Sequence, residues 1–337
     1  MRVFKISSQR TLLLATFLMV LLLTLTLSPF EGIVQVFRHG QPKPQSVESQ
    51  PPAEKFLFEM VGADEKEAIE QRLPSMKDED WEAETIRLVE KNKIDDKYII
   101  IAVANNGHRE FTLNWIASLK RNNYHKFIVF CLDSMLYEAI AERSLSANAV
   151  VVPRKWLHGP IFTEEVLWGT ERHRLLTHIK VIVAQKLLEW GHTVVFSDVD
   201  LVWLNPNIIA HIEYVSENAD VAHMLDFVDD MNSGFYLAKP TPFAKSLFQE
   251  AIEILKQFGG NAHDQGAFNG AMQSGMNRKY SKHFYRLDKL MYPNGEVNFL
   301  LGLNKKMDIR PMIVHANYVV GAKKKKEILE SQGMWYI

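Results

Sequence analysis

The sequence predicts an α/β fold over residues 94–337, in which a mostly parallel mixed sheet is flanked by helices. The first observation is that short apolar runs, typical of buried strands, alternate along the chain with longer segments of helical periodicity. The second is that polar side chains follow two of these runs directly, at Asn105 and at Asp198. Open α/β sheets bind ligands at the carboxyl ends of their strands, so the second observation also predicts a binding crevice there.

Each element has its own signal in the sequence. The run Tyr98–Ala104 is apolar throughout, as expected for a strand that is buried on both faces. Gly191 ends a long amphipathic segment, and Pro242 fits the first turn of another. The predicted strands are residues 98–104, 127–132, 149–153, 192–200, 221–226, 234–238 and 312–314. The predicted helices are residues 111–119, 134–143, 171–190 and 241–258, and one that begins near Gly321.

The composition is that of an ordinary globular protein, with 47% hydrophobic residues and a net charge of −1. Because basic residues are not in excess, the chain is not predicted to bind nucleic acid. Cys131 is the only cysteine, so no intrachain disulfide can form. Its apolar neighbours predict a buried position on a strand.

The N-terminal region predicts a membrane anchor. Three basic residues fall within positions 1–10, and no charged residue then occurs before Glu31. An uncharged helix of about 20 residues is about 30 Å long, enough to cross a thin bilayer. We therefore predict a cytoplasmic tail at 1–10, a transmembrane signal-anchor at 11–30, a stem at 31–93 and a lumenal domain at 94–337, with single-pass type II topology in the Golgi membrane. A cleavable signal peptide, whose apolar run is usually shorter, is the alternative.

Asp198 and Asp200 follow the fourth apolar run at a spacing of two residues. Alternation along an extended chain places both side chains on one face, where two carboxylates repel each other unless a cation lies between them. This spacing indicates a site for a hard divalent cation such as Mn²⁺ or Mg²⁺, with an acidic turn that caps the next helix as the alternative. Asn105 and Asn106, at the end of the first strand, line the same predicted crevice and are expected to contact a nucleotide.

His315 directly follows the last predicted strand, and its imidazole is a candidate third metal ligand. Gly321 and a lysine cluster, Lys323–Lys326, come shortly after it. Because phosphates are bound by cations and by free backbone amides, this combination predicts a diphosphate site. A solvated helix face is the alternative for the lysines, and a surface or core position is the alternative for the histidine.

Four sequence blocks, in this order, resemble the nucleotide-diphospho-sugar transferase family, which includes plant cell-wall xylosyl- and arabinosyltransferases and an amoebal galactosyltransferase. The blocks are Phe196–Pro206, Asn232–Phe235, Asp264–Asn269 and His315–Trp335. The resemblance covers residues 97–335 and implies a GT-A-type fold. It also implies transfer of xylose, galactose or arabinose from a UDP-sugar to a glycan or glycoprotein acceptor, with Mn²⁺ or Mg²⁺ and with retention of anomeric configuration.

The resemblance further implies roles for individual residues. The metal ligands would be Asp198, Asp200 and His315, and Asp198 would also contact the donor. The donor would be held by Asn232, Ser233 and Gly234 at the sugar, by Gly321 and Lys324 (less surely Lys323) at the diphosphate, and by Lys180 and Arg174 from the preceding helix. The catalytic residues would be Asp264, which holds sugar hydroxyls, and Gln265, near the anomeric carbon. Trp168 is a candidate for stacking on an acceptor sugar, with a core role as the alternative.

Two other functions fit part of the pattern. Asp198–Val202 matches the nucleophile motif of haloacid-dehalogenase-type phosphatases, although that motif normally opens its domain. A non-catalytic lumenal glycan-binding protein is the second alternative. For the transferase itself, an oxygen of the departing phosphate takes the acceptor's proton, and a covalent intermediate is the alternative mechanism.

Overall fold

Nine strands form two sheets in the part of the chain that the computed structural model describes, which is residues 78–156, 163–164, 170–227, 229–274 and 281–337. These residues all lie within one compact unit, residues 67–337. The strands are β1 (Tyr98–Ala104), β2 (Ile128–Cys131), β3 (Ala149–Val151), β4 (Thr193–Ser197), β5 (Leu201–Trp203), β6 (Val221–Leu225), β7 (Met231–Ala238), β8 (Phe284–Arg286) and β9 (Ile313–His315). The helices are α1 (Asp78–Lys91), α2 (Arg109–Arg121), α3 (Ser134–Ala141), α4 (Glu171–Glu189), α5 (Ile208–Val215), α6 (Pro242–Phe258), α7 (Asp264–Gln273), α8 (Leu303–Lys306) and α9 (Ala322–Ser331).

The larger sheet has the strand order β3–β2–β1–β4–β7–β6–β8. β1 is parallel to β2 and β4, β3 is parallel to β2, and β8 is parallel to β6. β7 runs antiparallel to both of its neighbours, β4 and β6. The predicted mostly parallel mixed sheet is therefore confirmed. Because β6 runs in the same direction as β1 and β4, the carboxyl ends of these three strands and the first residues of β7 lie along one edge of the sheet.

Helices cover both faces of the larger sheet. On β1, Ile99 and Ile101 pack in one buried cluster with residues of α4 and α6. Ile100 and Ala102 pack in the other buried cluster with residues of α2 and α5. Both faces of this strand are thus buried, as its continuous apolar sequence predicts.

α1 joins the domain core although it falls within the predicted stem. Its side chains Trp81, Leu88 and Val89 are buried in the cluster that contains α4 and α6. Ile86 is instead 47% exposed, so it takes no part in this packing. The last turns of the stem are therefore attached to the domain by apolar burial.

The predicted tail, the predicted anchor at 11–30 and most of the predicted stem lie outside the described residues. Among the helices that the structure describes, none combines the length and the apolar composition needed to cross a membrane. The segment boundaries given for the N-terminal region therefore stay predictions.

Two of the differences between the fold and the sequence-based prediction lie at the site. β4 ends at Ser197, so the prediction that this strand extends to Asp200 is wrong. The chain turns there and enters β5, because β5 pairs antiparallel with β9 in a separate two-stranded sheet. α7 is not predicted from the sequence, since its glycines and polar residues have low helix propensity. Burial of Phe268 and Met272 in the core stabilises it instead.

Ser197, the last residue of β4, connects the core to the turn that follows. Its hydroxyl oxygen accepts hydrogen bonds from Trp115 Nε1 at 2.9 Å and from Trp203 Nε1 at 3.2 Å. All three side chains are fully buried. This shared acceptor pairs two buried indole N–H groups and holds the end of β4 between α2 and β5.

We expect Ser197→Ala to lower the free energy of unfolding by about 2–4 kcal/mol, because it leaves two buried indole donors unpaired. Urea unfolding of the purified protein measures this change. Ser331→Ala is the matched control, since the Ser331 hydroxyl bonds, among the described residues, only to an exposed carbonyl of its own helix. We expect this control to change stability by less than about 0.5 kcal/mol. Equal effects of the two variants would contradict the importance of the shared acceptor.

Candidate functional site

Polar side chains converge at the sheet edge where the carboxyl ends of β1, β4 and β6 lie. Asn105 follows β1, Asp198 follows β4 and Asp226 follows β6. Asn232 lies at the start of β7, which runs in the opposite direction and so begins at the same edge. The strand-end rule that predicts a site after β1 and β4 therefore holds for β6 as well.

Asp198 and Asp200 lie in a tight turn, not on the end of an extended strand. The backbone N–H of Leu201 donates to the carbonyl oxygen of Asp198 at 3.3 Å, which closes the turn. The N–H of Asp198 donates to the carbonyl oxygen of Gly234 on β7 at 2.7 Å. The two carboxylates still lie on the same side, as predicted, but turn geometry rather than strand alternation places them there.

His315 reaches this turn through the small sheet. In the β5–β9 pair, His315 is opposite Leu201, and the N–H of the next residue, Ala316, donates to the carbonyl oxygen of Asp200 at 3.0 Å. His315 Nε2 is 3.2 Å from Asp200 Oδ1. His315 Nδ1 is buried and has no hydrogen-bond partner among the described residues. The pairing of two short strands thus brings together residues that are far apart in the chain.

Asp198, Asp200 and His315 form a cluster that fits a divalent metal ion, and we call these three residues the metal group. One ligand atom from each residue can be chosen so that all three lie within 4.8 Å of one another. Two carboxylate oxygens and one imidazole nitrogen suit Mn²⁺, and the oxygens also suit Mg²⁺. The three predicted ligands are therefore brought together by the fold.

Two lysines balance the charge of the two carboxylates. Lys180 Nζ on α4 is 2.5 Å from Asp198 Oδ1, and Lys325 Nζ on α9 is 2.6 Å from Asp200 Oδ2. Burial raises the pKa of Asp200, but the charges of Lys325 and His315 outweigh it and hold this pKa well below its usual value. Asp200 is therefore a carboxylate at neutral pH, the form that binds a cation.

Lys180 also links the metal group to α7. Its Nζ atom is 4.0 Å from Asp264 Oδ2 as well as bonded to Asp198. Burial lowers the pKa of Lys180, but the charges of Asp198 and Asp264 outweigh it and raise this pKa above its usual value. Lys180 therefore stays charged between two carboxylates from separate elements.

Gly234 has no side chain, and this leaves room for the side chains of the metal group. A Cβ atom built at Gly234 would lie 2.4 Å from His315 Cε1 and 2.9 Å from both Asn232 Oδ1 and Asp198 Oδ2. These distances are well inside van der Waals contact, and the neighbours are side chains of the site, of which His315 and Asn232 are buried and Asp198 is partly buried. A side chain at this position would displace two of the three candidate ligands.

Asp264 and Gln265 form the first turn of α7. Asp264 is buried, and its backbone N–H donates to Thr177 Oγ1 on α4 at 3.1 Å. Gln265 is partly buried, and its Nε2 donates to Asp226 Oδ2 at 2.7 Å. The predicted catalytic pair therefore lies beside the metal group, with Lys180 between Asp264 and Asp198.

The other residues predicted for donor binding take varied positions. Asn105 is buried, and its side chain bonds to the Glu164 carbonyl oxygen and to His108. The Asn106 N–H donates to Asp133 Oδ2 at 2.7 Å. Ser233 is buried on β7 beside Gly234. Arg174 lies near the start of α4, and Trp168 lies outside the described residues.

Lys325, the lysine that bonds to Asp200, is not among the lysines that the resemblance implies for diphosphate binding. Gly321, with φ +92°, precedes α9, and the predicted Lys324 is exposed on that helix. Lys323 is also exposed, with 90% of its side chain accessible. Lys325 instead bonds to Asp200, because the orientation of α9 turns this position toward the site. Lys325 is therefore an additional candidate for the diphosphate site.

His173 lies on the first turn of α4, and the charge of a nearby lysine of the site contributes to a shift of its pKa. Burial, followed by the charge of Lys180, lowers the pKa of His173 to about 4. The side chain is therefore a neutral imidazole at pH 7. The sequence gives no signal for this, since the effect depends on which charges the fold brings near it.

Comparison with known proteins identifies relatives. The sequence model of the family described as nucleotide-diphospho-sugar transferase matches residues 122–329. A UDP-galactose:fucoside alpha-3-galactosyltransferase of Dictyostelium discoideum is 25% identical over 291 residues, which is 74% of this chain and 44% of the relative. A UDP-D-xylose:L-fucose alpha-1,3-D-xylosyltransferase of Arabidopsis thaliana is 24% identical over 278 residues, 76% of this chain and 74% of the relative. The chain thus spans less than half of the first relative.

Solved structures of sugar transferases are also similar. The galactosyltransferase LgtC aligns with a TM-score of 0.46 at 13% identity, over 69% of this chain and 95% of LgtC. Mouse xyloside xylosyltransferase 1 aligns with a TM-score of 0.39 at 12% identity, over 67% of this chain and 98% of that protein. The resemblance carried by the four sequence blocks is confirmed by the match to the family, and neither the phosphatase nor the glycan-binding alternative is favoured.

We expect Gly234→Ala to weaken Mn²⁺ binding by about 10–100-fold, because its methyl group displaces His315 and Asp198. Isothermal titration calorimetry with Mn²⁺ measures this effect, and circular dichroism verifies that the variant is folded. Gly266→Ala is the matched control, since a Cβ atom there would meet, in the part of the chain that the structure describes, only His263 atoms at 3.6 Å or more. If both variants bind Mn²⁺ as the unsubstituted chain does, the close approach at Gly234 has no bearing on metal binding.

Proposed function

Because the chain belongs to the nucleotide-diphospho-sugar transferase family, we propose that it transfers a sugar from a UDP-sugar to a glycan or glycoprotein acceptor, with Mn²⁺ or Mg²⁺ at Asp198, Asp200 and His315. The single observation that carries this proposal is the group of three ligands with a lysine on each carboxylate. Such a group matches a diphosphate leaving group, which needs a divalent cation and basic side chains around it.

The names of the relatives indicate the donor. They include a transferase for UDP-galactose, transferases for UDP-D-xylose and arabinosyltransferases. We propose one of these three sugars, in UDP-linked form, as the donor of this chain. A glycan hydroxyl is the proposed acceptor, in line with the fucose acceptors that two of the names give.

The proposed chemistry divides between the metal group and α7. A bound divalent ion supplies a positive charge that stabilises the diphosphate as it departs. Lys180 and Lys325, both at the carboxylates, provide further positive charge where the diphosphate would lie. Asp264 and Gln265 present oxygen atoms to the sugar, where positive charge develops at the anomeric carbon. We propose retention of configuration, with the acceptor's proton passing to an oxygen of the departing phosphate.

We also propose that residues 11–30 anchor the chain in the Golgi membrane as a single-pass type II protein, with the described domain in the lumen. The support is the uncharged run that follows a basic flank in the sequence. In this arrangement the proposed stem, residues 31–93, links the bilayer to the domain, and its last part, α1, packs in the domain core.

We expect the purified protein with Mn²⁺ to release UDP from at least one of UDP-xylose, UDP-galactose and UDP-arabinose. Asp200→Asn should lower this turnover by about 100-fold or more, because it removes one charged metal ligand. Coupled detection of UDP measures the rate, and chelation with EDTA should abolish it.

Asp96→Asn is the matched control for that experiment, because Asp96 is exposed and lies before β1. It should leave the rate unchanged. No metal-dependent turnover from any member of a full UDP- and GDP-sugar panel would contradict the proposed function. Full activity of Asp200→Asn would contradict the proposed metal site.

We expect Lys325→Met to change metal and nucleotide binding in opposite directions. Removal of a positive charge beside Asp200 should tighten binding of Mn²⁺ alone by about three- to tenfold. Binding of UDP in the presence of Mn²⁺ should weaken by about tenfold, because a charged donor to the diphosphate is lost. Calorimetric titrations with each ligand measure both changes.

Lys323→Met serves as the control for this variant, since 90% of the Lys323 side chain is exposed to solvent. It should affect neither affinity. Lys324→Met tests the position that the resemblance selects. If this variant, and not Lys325→Met, weakens UDP binding, Lys324 is the diphosphate ligand.

A further inference from the structure

Asp226 accepts hydrogen bonds from three side-chain amides that come from three separate segments. Its Oδ1 atom accepts from Asn232 Nδ2 at 3.2 Å and from Asn317 Nδ2 at 3.3 Å. Its Oδ2 atom accepts from Gln265 Nε2 at 2.7 Å. Asp226 follows β6 and is partly buried, so this carboxylate lies at the same sheet edge as the metal group.

The orientation of two of these amides is fixed, because both their oxygen and their nitrogen atoms have hydrogen-bond partners. Asn232 Oδ1 accepts from the backbone N–H of Gly234 at 2.9 Å. Asn317 Oδ1 accepts from the backbone N–H of Gly295 at 2.7 Å. Because their oxygen atoms are held by backbone donors, both amides must direct their NH₂ groups to Asp226. Asp226 Oδ1 therefore has to be an acceptor.

Among the described residues, the Gln265 amide bonds only to Asp226, so its orientation depends on that carboxylate. An ionised carboxylate has acceptors only, so the amide must direct its NH₂ group to Oδ2. No hydrogen bond joins Gln265 Oε1 to any of the described residues, so this oxygen is available to a ligand. Gln265 follows Asp264, which is 4.0 Å from the lysine that bonds to Asp198. The oxygen is thus on the part of α7 that lies beside the metal group.

We infer that Asp226 is a positioning residue that makes Gln265 present its amide oxygen, and not its NH₂ group, to the donor sugar. This inference rests on the proposed function. An amide oxygen carries a partial negative charge and stabilises the positive charge that develops at the anomeric carbon, whereas an NH₂ group at the same place would oppose it. A reversal of the amide therefore changes the rate of sugar transfer with little change in the contacts around it.

Asp226→Asn should cause this reversal. The new amide has one oxygen and one NH₂ group, and two NH₂ donors already face the Oδ1 position. The oxygen is best placed there, so the NH₂ group of residue 226 takes the Oδ2 position and faces Gln265. Gln265 then has to turn its Oε1 atom toward residue 226 and its NH₂ group toward the sugar.

Gln265→Glu should rescue that variant. In the double variant, one carboxylate oxygen of residue 265 accepts from the NH₂ group of residue 226, and the other oxygen faces the sugar. Gln265→Glu alone instead places two carboxylates at a distance of about one hydrogen bond, which is unfavourable. The inference therefore requires each single variant to be impaired and the double variant to be faster than either.

The experiment measures kcat and KM of the four proteins with the UDP-sugar that the unsubstituted chain uses. We expect kcat to fall at least 30-fold in Asp226→Asn and to recover at least tenfold in the double variant. KM for the donor should change less than threefold throughout. Asp229→Asn is the matched control, since Asp229 pairs with Arg286 on the surface, and it should leave kcat unchanged. Single-variant losses that simply multiply in the double variant would overturn the inference.

A second readout separates the inference from the proposed function. Urea unfolding of the same four proteins measures the coupling between residues 226 and 265 without any substrate, and a favourable coupling in the double variant is required. Absence of coupling overturns the inference whatever the activity. If the unsubstituted chain turns over no nucleotide sugar, the proposed function and the catalytic part of the inference fail together, even where coupling is found. If Asp226→Asn does not fold, Gln265→Glu and the double variant decide, since the double variant must be the faster.

Discussion

The repulsion between Asp198 and Asp200 is the constraint on which the rest of the site depends. One turn holds both carboxylates on the same side, and an unbalanced pair of this kind would be unstable in a partly buried setting. Lys180 and Lys325 each bond to one of them, and His315 lies against Asp200. These partners come from three different elements, so the charge of the turn ties α4, β9 and α9 to the sheet edge.

Much of the fold follows from local sequence, because the runs that become β1, β2 and β4 are mostly apolar and carry no charged residue. The strand-end rule also locates Asp198 correctly. The turn after Ser197 could not be predicted, since it forms where β5 leaves the large sheet to pair with β9, more than a hundred residues later. The choice of Lys325 among four consecutive lysines depends on the rotation of α9, which burial of Leu329 fixes.

Asp226 shows a second limit of sequence interpretation. Its place after β6 is the signal that could have found it, because β6 runs parallel to β4 and ends at the same edge. The amides that bond to its carboxylate, however, lie on β7, on α7 and after β9. No local pattern gives the direction of an amide group. Only the assembled network does, and it links the end of β6 to the predicted catalytic turn of α7.

The proposed function requires that Asp198, Asp200 and His315 bind the divalent ion that acts with a nucleotide sugar. X-ray diffraction from crystals grown with UDP and Mn²⁺, recorded at the manganese absorption edge, tests it most directly. We expect one strong anomalous peak in coordination contact with these three side chains and with the diphosphate of UDP. Bound UDP with no anomalous peak at this turn, or with manganese held by other residues, would contradict it.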